Sequence, residues 1–294
     1  MRSLRSTLAA AAATVLLLAG TAAQAQTYTV PASTPANIKR AVESPARPAD
    51  QRARDADRKP AETLMLANVA EGQRVVELAA FGHYWTNMLV EAVGPRGQVY
   101  MVDMPWTDRF GGEAARAFAA AHANSTYTQA HYNQMQLPQN VDAVVFVQFY
   151  HDLKRMDAAE SVDTADMNRK IFAALKPGGT YLVVDHKAED GSGWRDAMTL
   201  HRIDPATIKS EVTAAGFELV QDSPLLANPA DDKKQSMRAA GLRCAAPDLA
   251  PFSPAREPPA WRGARRCRGR SRPRWRAPPD APPAACRSPV RSLR

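Results

Sequence analysis

Three of the chain's six histidines, His83, His151 and His186, fall just past short apolar runs, and two of them sit directly beside a carboxylate. Asp152 follows His151, and Asp185 precedes His186. Imidazole changes charge near neutral pH and handles a proton or a metal ion through either ring nitrogen. A histidine paired with an acid is therefore a candidate general base. His151 is the first candidate, with Asp152 or Asp185 to orient it, and His186 is the second. A metal-binding reading of the three histidines is weaker, because no two have a compact spacing such as His-x-x-x-His, and no metal is expected. Asp103 ends the run QVYMVD, downstream of a turn containing Gly82. Nucleotide-binding sheets place an acid at that point for ribose hydroxyls. Farther along, Arg195, His201 and Arg202 are candidates to hold an anionic substrate, although Arg195 reads more simply as a solvated surface residue.

These residues need a scaffold that brings strand ends together, and the pattern supplies one. Short apolar runs at 74–79, 98–103, 141–149, 180–185 and 217–222 read as strands, and the polar STYTQ at 125–129 gives a weaker strand signal. Helical stripes alternate with them at 84–93, 113–122, 163–175 and from Asp204 to Ala215. The run VDAVVFVQF is nearly all apolar, as expected of a strand covered on both faces. Pro177-Gly178-Gly179 makes a turn into the fifth strand, while Asp204 and Pro205 are suited to cap and open the last helix. Alternation of this kind predicts an α/β, Rossmann-like, doubly wound and mostly parallel sheet. Ligands of such sheets bind beyond the carboxyl ends of the strands, which is where the three histidines and Asp103 fall.

The two ends of the chain differ from the middle. Arg2 and Arg5, an apolar run from Leu8 to Ala19, and Ala23-Gln24-Ala25 together read as a signal peptide over residues 1–25. That predicts a periplasmic or secreted protein with no integral membrane segment after cleavage. Residues 26–46 read as a mobile leader, and the polar stretch 47–59 as a short solvated helix. Pro60 opens a further short helix with Leu64 and Leu66 to bury. The net charge of +8 is concentrated in residues 238–294, which carry 14 Arg, no Lys and all three cysteines. Residues 1–237 carry −3, so nucleic acid is not an expected partner. No strand pattern is evident after Leu226, which predicts a disordered basic tail produced by a reading-frame shift, and a sheet that lacks its final strand. The 45% hydrophobic content excludes wholesale disorder.

The run VVELAAFGHYWTNMLVEAVGPRGQVYMVDMP, then NVDAVVFVQFYHDL and LKPGGTYLVVDH, resembles the class I methyltransferases that use S-adenosylmethionine. With the stretch DHKAEDGSGWRDAMTLHRIDPATIKSEVTAAGF, the chain is similar to a group of signal-peptide-bearing predicted methyltransferases of Gram-negative bacteria, over about residues 45–235. The resemblance implies a methyltransferase-like domain over 47–237, S-adenosylmethionine as cofactor and a small-molecule substrate. It implies cofactor contacts from Glu77, Ala79, Gly82 and Tyr84 around the first turn, from Asp103, and from Asn133 near the adenine. The family loop reads acid-x-Gly-x-Gly-x-Gly, whereas Ala79, Phe81 and His83 occupy the glycine positions here. His151 and Asp152 match the segment facing the substrate. A non-catalytic binding protein and a nucleotide-cofactor oxidoreductase are the alternative readings.

Overall fold

Seven strands form one sheet in the order β3-β2-β1-β4-β5-β7-β6 in the computed structural model, which describes residues 27–154, 157–236 and 247–254. The signal peptide expected over 1–25 lies outside the described residues, as does the tail beyond residue 254. Before the sheet come α1 (Ala36–Glu43), α2 (Ala49–Arg52), α3 (Asp55–Arg58) and α4 (Pro60–Leu66). The alternating body then runs β1 (Arg74–Leu78), α5 (Tyr84–Val93), β2 (Gln98–Asp103), α6 (Asp108–Ala121), β3 (Ser125–Gln129) and β4 (Val141–Val147). It continues through α7 (Thr164–Ala174), β5 (Leu175–His186), α8 (Ala197–Leu200), α9 (Pro205–Ala214), β6 (Phe217–Leu219) and β7 (Pro247–Pro254). β1 to β5 pair in parallel, and β7 runs antiparallel to both β5 and β6. Among the described residues no helix is long and apolar enough to cross a membrane.

The period of two in the strands divides the core into two layers. Val75, Ala143, Val145 and Leu182 bury against α1, α4 and α5 through Ile38, Leu64, Met88 and Leu89. Val76, Val144, Phe146 and Val183 bury on the other face with Met167, Ile171, Ile208 and Val212 of α7 and α9. β4 stops two residues early, because Gln148 turns into the left-handed region at φ 57°. Between Leu175 and Thr180, residues 176–179 leave the ladder, with Gly178 at φ 76°. That is the expected Pro-Gly-Gly turn, now inside the span of β5.

Three expectations are corrected. First, the leader is structured: Ile38, Ala41 and Val42 of α1 are buried in the core. Second, the polar stretch 47–59 forms two short helices around a buried ion pair, not one solvated helix. Arg47 donates to both Asp55 oxygens at 2.9 and 2.7 Å, and the Tyr84 hydroxyl donates to Asp55 Oδ1 at 2.6 Å. Polarity read residue by residue suggested solvent, while the partners lie eight residues apart and on α5. Third, the final strand is present. β7 lies within residues 238–254, which had been assigned to a tail, and Phe252 is buried against Tyr181 and Phe217. Prolines 247, 251 and 254 lack the N–H that a ladder uses. The Pro251 carbonyl still accepts, from the Val220 N–H at 3.1 Å.

Candidate active site

The loop after β1 is held by neighbouring strands. Ala79 adopts φ 60°, the left-handed conformation that favours glycine, and its N–H meets the Val102 carbonyl and the Tyr132 hydroxyl at 3.1 and 3.0 Å. Asp103 Oδ1 accepts the Ala80 N–H at 2.6 Å, so this acid supports the loop from below. Its other oxygen, Oδ2, is buried, and the Tyr127 hydroxyl and the Phe81 N–H also face the carboxyl. Burial raises the Asp103 pKa to about 6, against the opposing pull of the Ala80 N–H. Beside it Glu77 is raised to about 8, mainly by burial, with the Thr86 hydroxyl opposing and the Asp103 charge adding. Glu77 Oε2 accepts from Thr86 of α5 at 2.7 Å and ties that helix to β1.

Two nominated cofactor contacts are engaged elsewhere. Tyr84 faces the Arg47–Asp55 pair, with the Arg58 guanidinium 4.3 Å above its ring. Asn133 accepts the Asp163 N–H at 2.8 Å and donates to the Ser161 carbonyl, which anchors the loop before α7. His83 opens α5 at φ 50° and stacks on Phe118 at 5.4 Å, with Nε2 buried and unpaired among the described residues.

The histidine edge assembles differently from its sequence expectation. His151, on a helical turn at Tyr150–Leu153, is buried and tied to Asp185 twice. Its Nδ1 is 2.6 Å from Asp185 Oδ1, and its N–H donates to Oδ2 at 2.8 Å. Burial opposes the charged imidazole, but Asp185 and Asp152 outweigh it and raise the His151 pKa. The His186 ring stands 6.0 Å from that of His151. His201 is nearer, edge-on at 5.3 Å, with its backbone left-handed at φ 54° after α8. Asp152 lies between the two, 3.5 Å from His151 Nε2 and 3.4 Å from His201 Nδ1. The arrangement that converges is thus His151, Asp152 and His201, with Asp185 behind His151.

A cavity of about 700 Å³ opens beside this cluster. Asp152, His201 and Met198 line one part, and Gly82, Arg109 and the aromatic rings of Phe81, Trp106, Phe110 and Phe149 line the rest. Trp106 and Phe149 stack at 5.4 Å, with 18° between planes. A Cβ on Gly82 would meet nothing within 4 Å, whereas one on Gly111 would stand 2.2 Å from the Phe81 carbonyl oxygen. The close approach of α6 to the loop therefore requires glycine at 111. Of the nominated residues, Gly82 and Asp152 line the cavity, while Glu77, Asp103, His151 and His186 are buried and are not among its lining residues. Of the candidate anion holders, His201 lines it. Arg202 is buried in a bidentate pair with Asp231 at 2.7 Å, and Arg195 is tied to Asp196 and Glu189 at the surface. Trp106 and Phe149 were missed as site residues, although both lie just past strand ends, where the rule for open sheets points.

No family model matches the chain. The demethylmenaquinone methyltransferase of Listeria monocytogenes is 24% identical over 140 residues, covering 48% of this chain and 56% of that protein. The chain therefore spans just over half the length of that relative. The ubiquinone/menaquinone biosynthesis C-methyltransferase UbiE of Yersinia enterocolitica is 26% identical over 193 residues, covering 55% of this chain and 73% of that protein. Among solved structures, a chain from the complex of the Haloferax volcanii Trm112 methyltransferase activator with a methyltransferase is similar at a TM-score of 0.50. It shares 17% identity over 70% of this chain and 93% of that one, a likeness of fold. The chain is thus similar in sequence to methyltransferases over about half its length, and the sheet has a Rossmann-like fold of the kind found in that solved structure.

Proposed function

We propose that the protein transfers a methyl group from S-adenosylmethionine to a planar aromatic small molecule. The observation that carries the reading is Asp103, a buried carboxylate at the tip of β2, directly under the β1 loop, whose Oδ1 accepts the Ala80 N–H at 2.6 Å. An acid at the end of the second strand is where open sheets of this kind meet a ribose hydroxyl. The cofactor supplies an electrophilic methyl group on a sulfonium. Asp103 would hold its ribose, and the loop from Ala79 to His83 would border it. Trp106, Phe149 and Phe81 offer flat apolar faces that orient an aromatic acceptor and exclude water. Asp152 and His201 are the polar groups beside that acceptor, suited to stabilise the loss of its proton. His151, held by Asp185, supports Asp152 from behind.

Calorimetric titration with S-adenosylmethionine tests this reading. The wild type should bind, and Asp103→Ala should bind about tenfold or more weakly, the scale of a lost hydrogen bond to a charged group. A folded wild type that takes up no cofactor would refute it. For location, we infer from residues 1–25 that the mature protein is periplasmic or secreted. Amino-terminal sequencing of the mature chain should then begin at Gln26.

A further inference from the structure

We propose that His151, Asp152 and His201 form a binding site for a divalent transition-metal cation. The three residues offer one ligand atom each, and all three atoms lie within 4.8 Å of one another. The separations of 3.5 Å from His151 Nε2 to Asp152 Oδ2 and 3.4 Å from His201 Nδ1 to Asp152 Oδ1 are long for charge-assisted hydrogen bonds, which close to about 2.7–2.9 Å. Each carboxylate oxygen faces one imidazole at a separation near that of two ligands on one ion. Bonds of about 2.0–2.1 Å in tetrahedral geometry set neighbouring ligand atoms roughly 3.4 Å apart.

The surroundings supply what such a site needs. Asp185 grips His151 Nδ1 at 2.6 Å, which fixes the ring and turns Nε2 toward Asp152. A carboxylate behind a ligating histidine also raises its basicity and orients it for the ion. Two imidazole nitrogens and one carboxylate oxygen suit zinc or ferrous iron better than magnesium or calcium. Asp152 and His201 also line the cavity, so remaining coordination positions face the space available to a small molecule. Three protein ligands with an open position is the arrangement of a catalytic metal, whereas structural sites close with four. The ligand class implied is an oxygen donor such as a phenol or enol. Bound to the cation, its hydroxyl would ionise more readily. The site does not depend on the methyl-transfer reading.

The test uses the full chain, stripped of metal and titrated with cobalt(II) and then zinc. Visible d–d absorption of one cobalt equivalent, lost on addition of zinc, is the expected result. Asp152→Asn and His201→Ala should each weaken binding by more than the roughly 10–100-fold expected for Asp185→Asn, which removes only the supporting partner. His186→Gln should bind as the wild type does. Circular dichroism checks that each variant folds, and Asp152→Asn keeps the test decisive if His201→Ala does not. A near-ultraviolet thiolate band in place of the d–d signal would assign the metal to cysteine and overturn the proposal. So would absence of saturable binding, or binding unchanged in both ligand variants. Titration of the metal-free protein with S-adenosylmethionine is read separately, so that the two proposals fail independently.

Discussion

Glu77→Gln should change how stability depends on pH, and the structure sets the size of the effect. Glu77 is buried with a pKa raised to about 8 from an ordinary 4.5. Below the ordinary value both folded and unfolded chains hold the proton, and the contribution is fully present. As pH rises past that value the unfolded chain ionises first while the folded chain keeps its proton, so stability falls. The loss continues until pH passes the folded value of about 8. At about 1.4 kcal/mol per pH unit, the wild type should lose about 3–4 kcal/mol from this group between about pH 5 and pH 8. Glutamine has no charge to bury, and its carbonyl can still accept from Thr86. Denaturant unfolding of both proteins at stepped pH measures the difference. The curves should diverge as pH rises, with Glu77→Gln the more stable at the alkaline end. Parallel curves would show that Glu77 is not held protonated in the folded protein.

Ala79→Gly should raise stability by about 1 kcal/mol and the melting temperature by roughly 2–4 °C, because Ala79 sits at φ 60° where a Cβ is penalised; an unchanged or lower melting temperature would refute this. Asp55→Asn leaves Arg47 buried without its charge partner, and denaturant titration should register a loss of about 3–5 kcal/mol. Phe252→Ala should cost about 3–5 kcal/mol if β7 belongs to the sheet, and an unaffected unfolding midpoint would remove that strand.

Elements set by local period were legible without coordinates. The β2 run and the α5 stripe fall where their apolar spacing places them, and β3 falls on the STYTQ segment, all with matching bounds. The Asp204–Pro205 start of α9 follows from capping chemistry, with the Asp204 side chain accepting the Ala206 N–H. Placement of Asp103, His151 and His186 at the carboxyl edge also followed, because strand ends in a parallel sheet share one edge. Which of these groups meet was decided only in three dimensions. His186 is adjacent to Asp185 in the chain, yet His201, fifty residues past His151, is the histidine that reaches Asp152. The partners of Tyr84 and Asn133, Asp55 and the Asp163 N–H, were likewise set by the fold. The buried Arg47–Asp55 pair and the proline-bearing β7 contradict their own composition. In both, the favourable term comes from partners distant in sequence: an ion pair with a tyrosine on another helix, and a ladder between β5 and β6. Local pattern reports what a segment prefers alone, whereas hydrogen-bond and charge partners across the fold are set by tertiary packing.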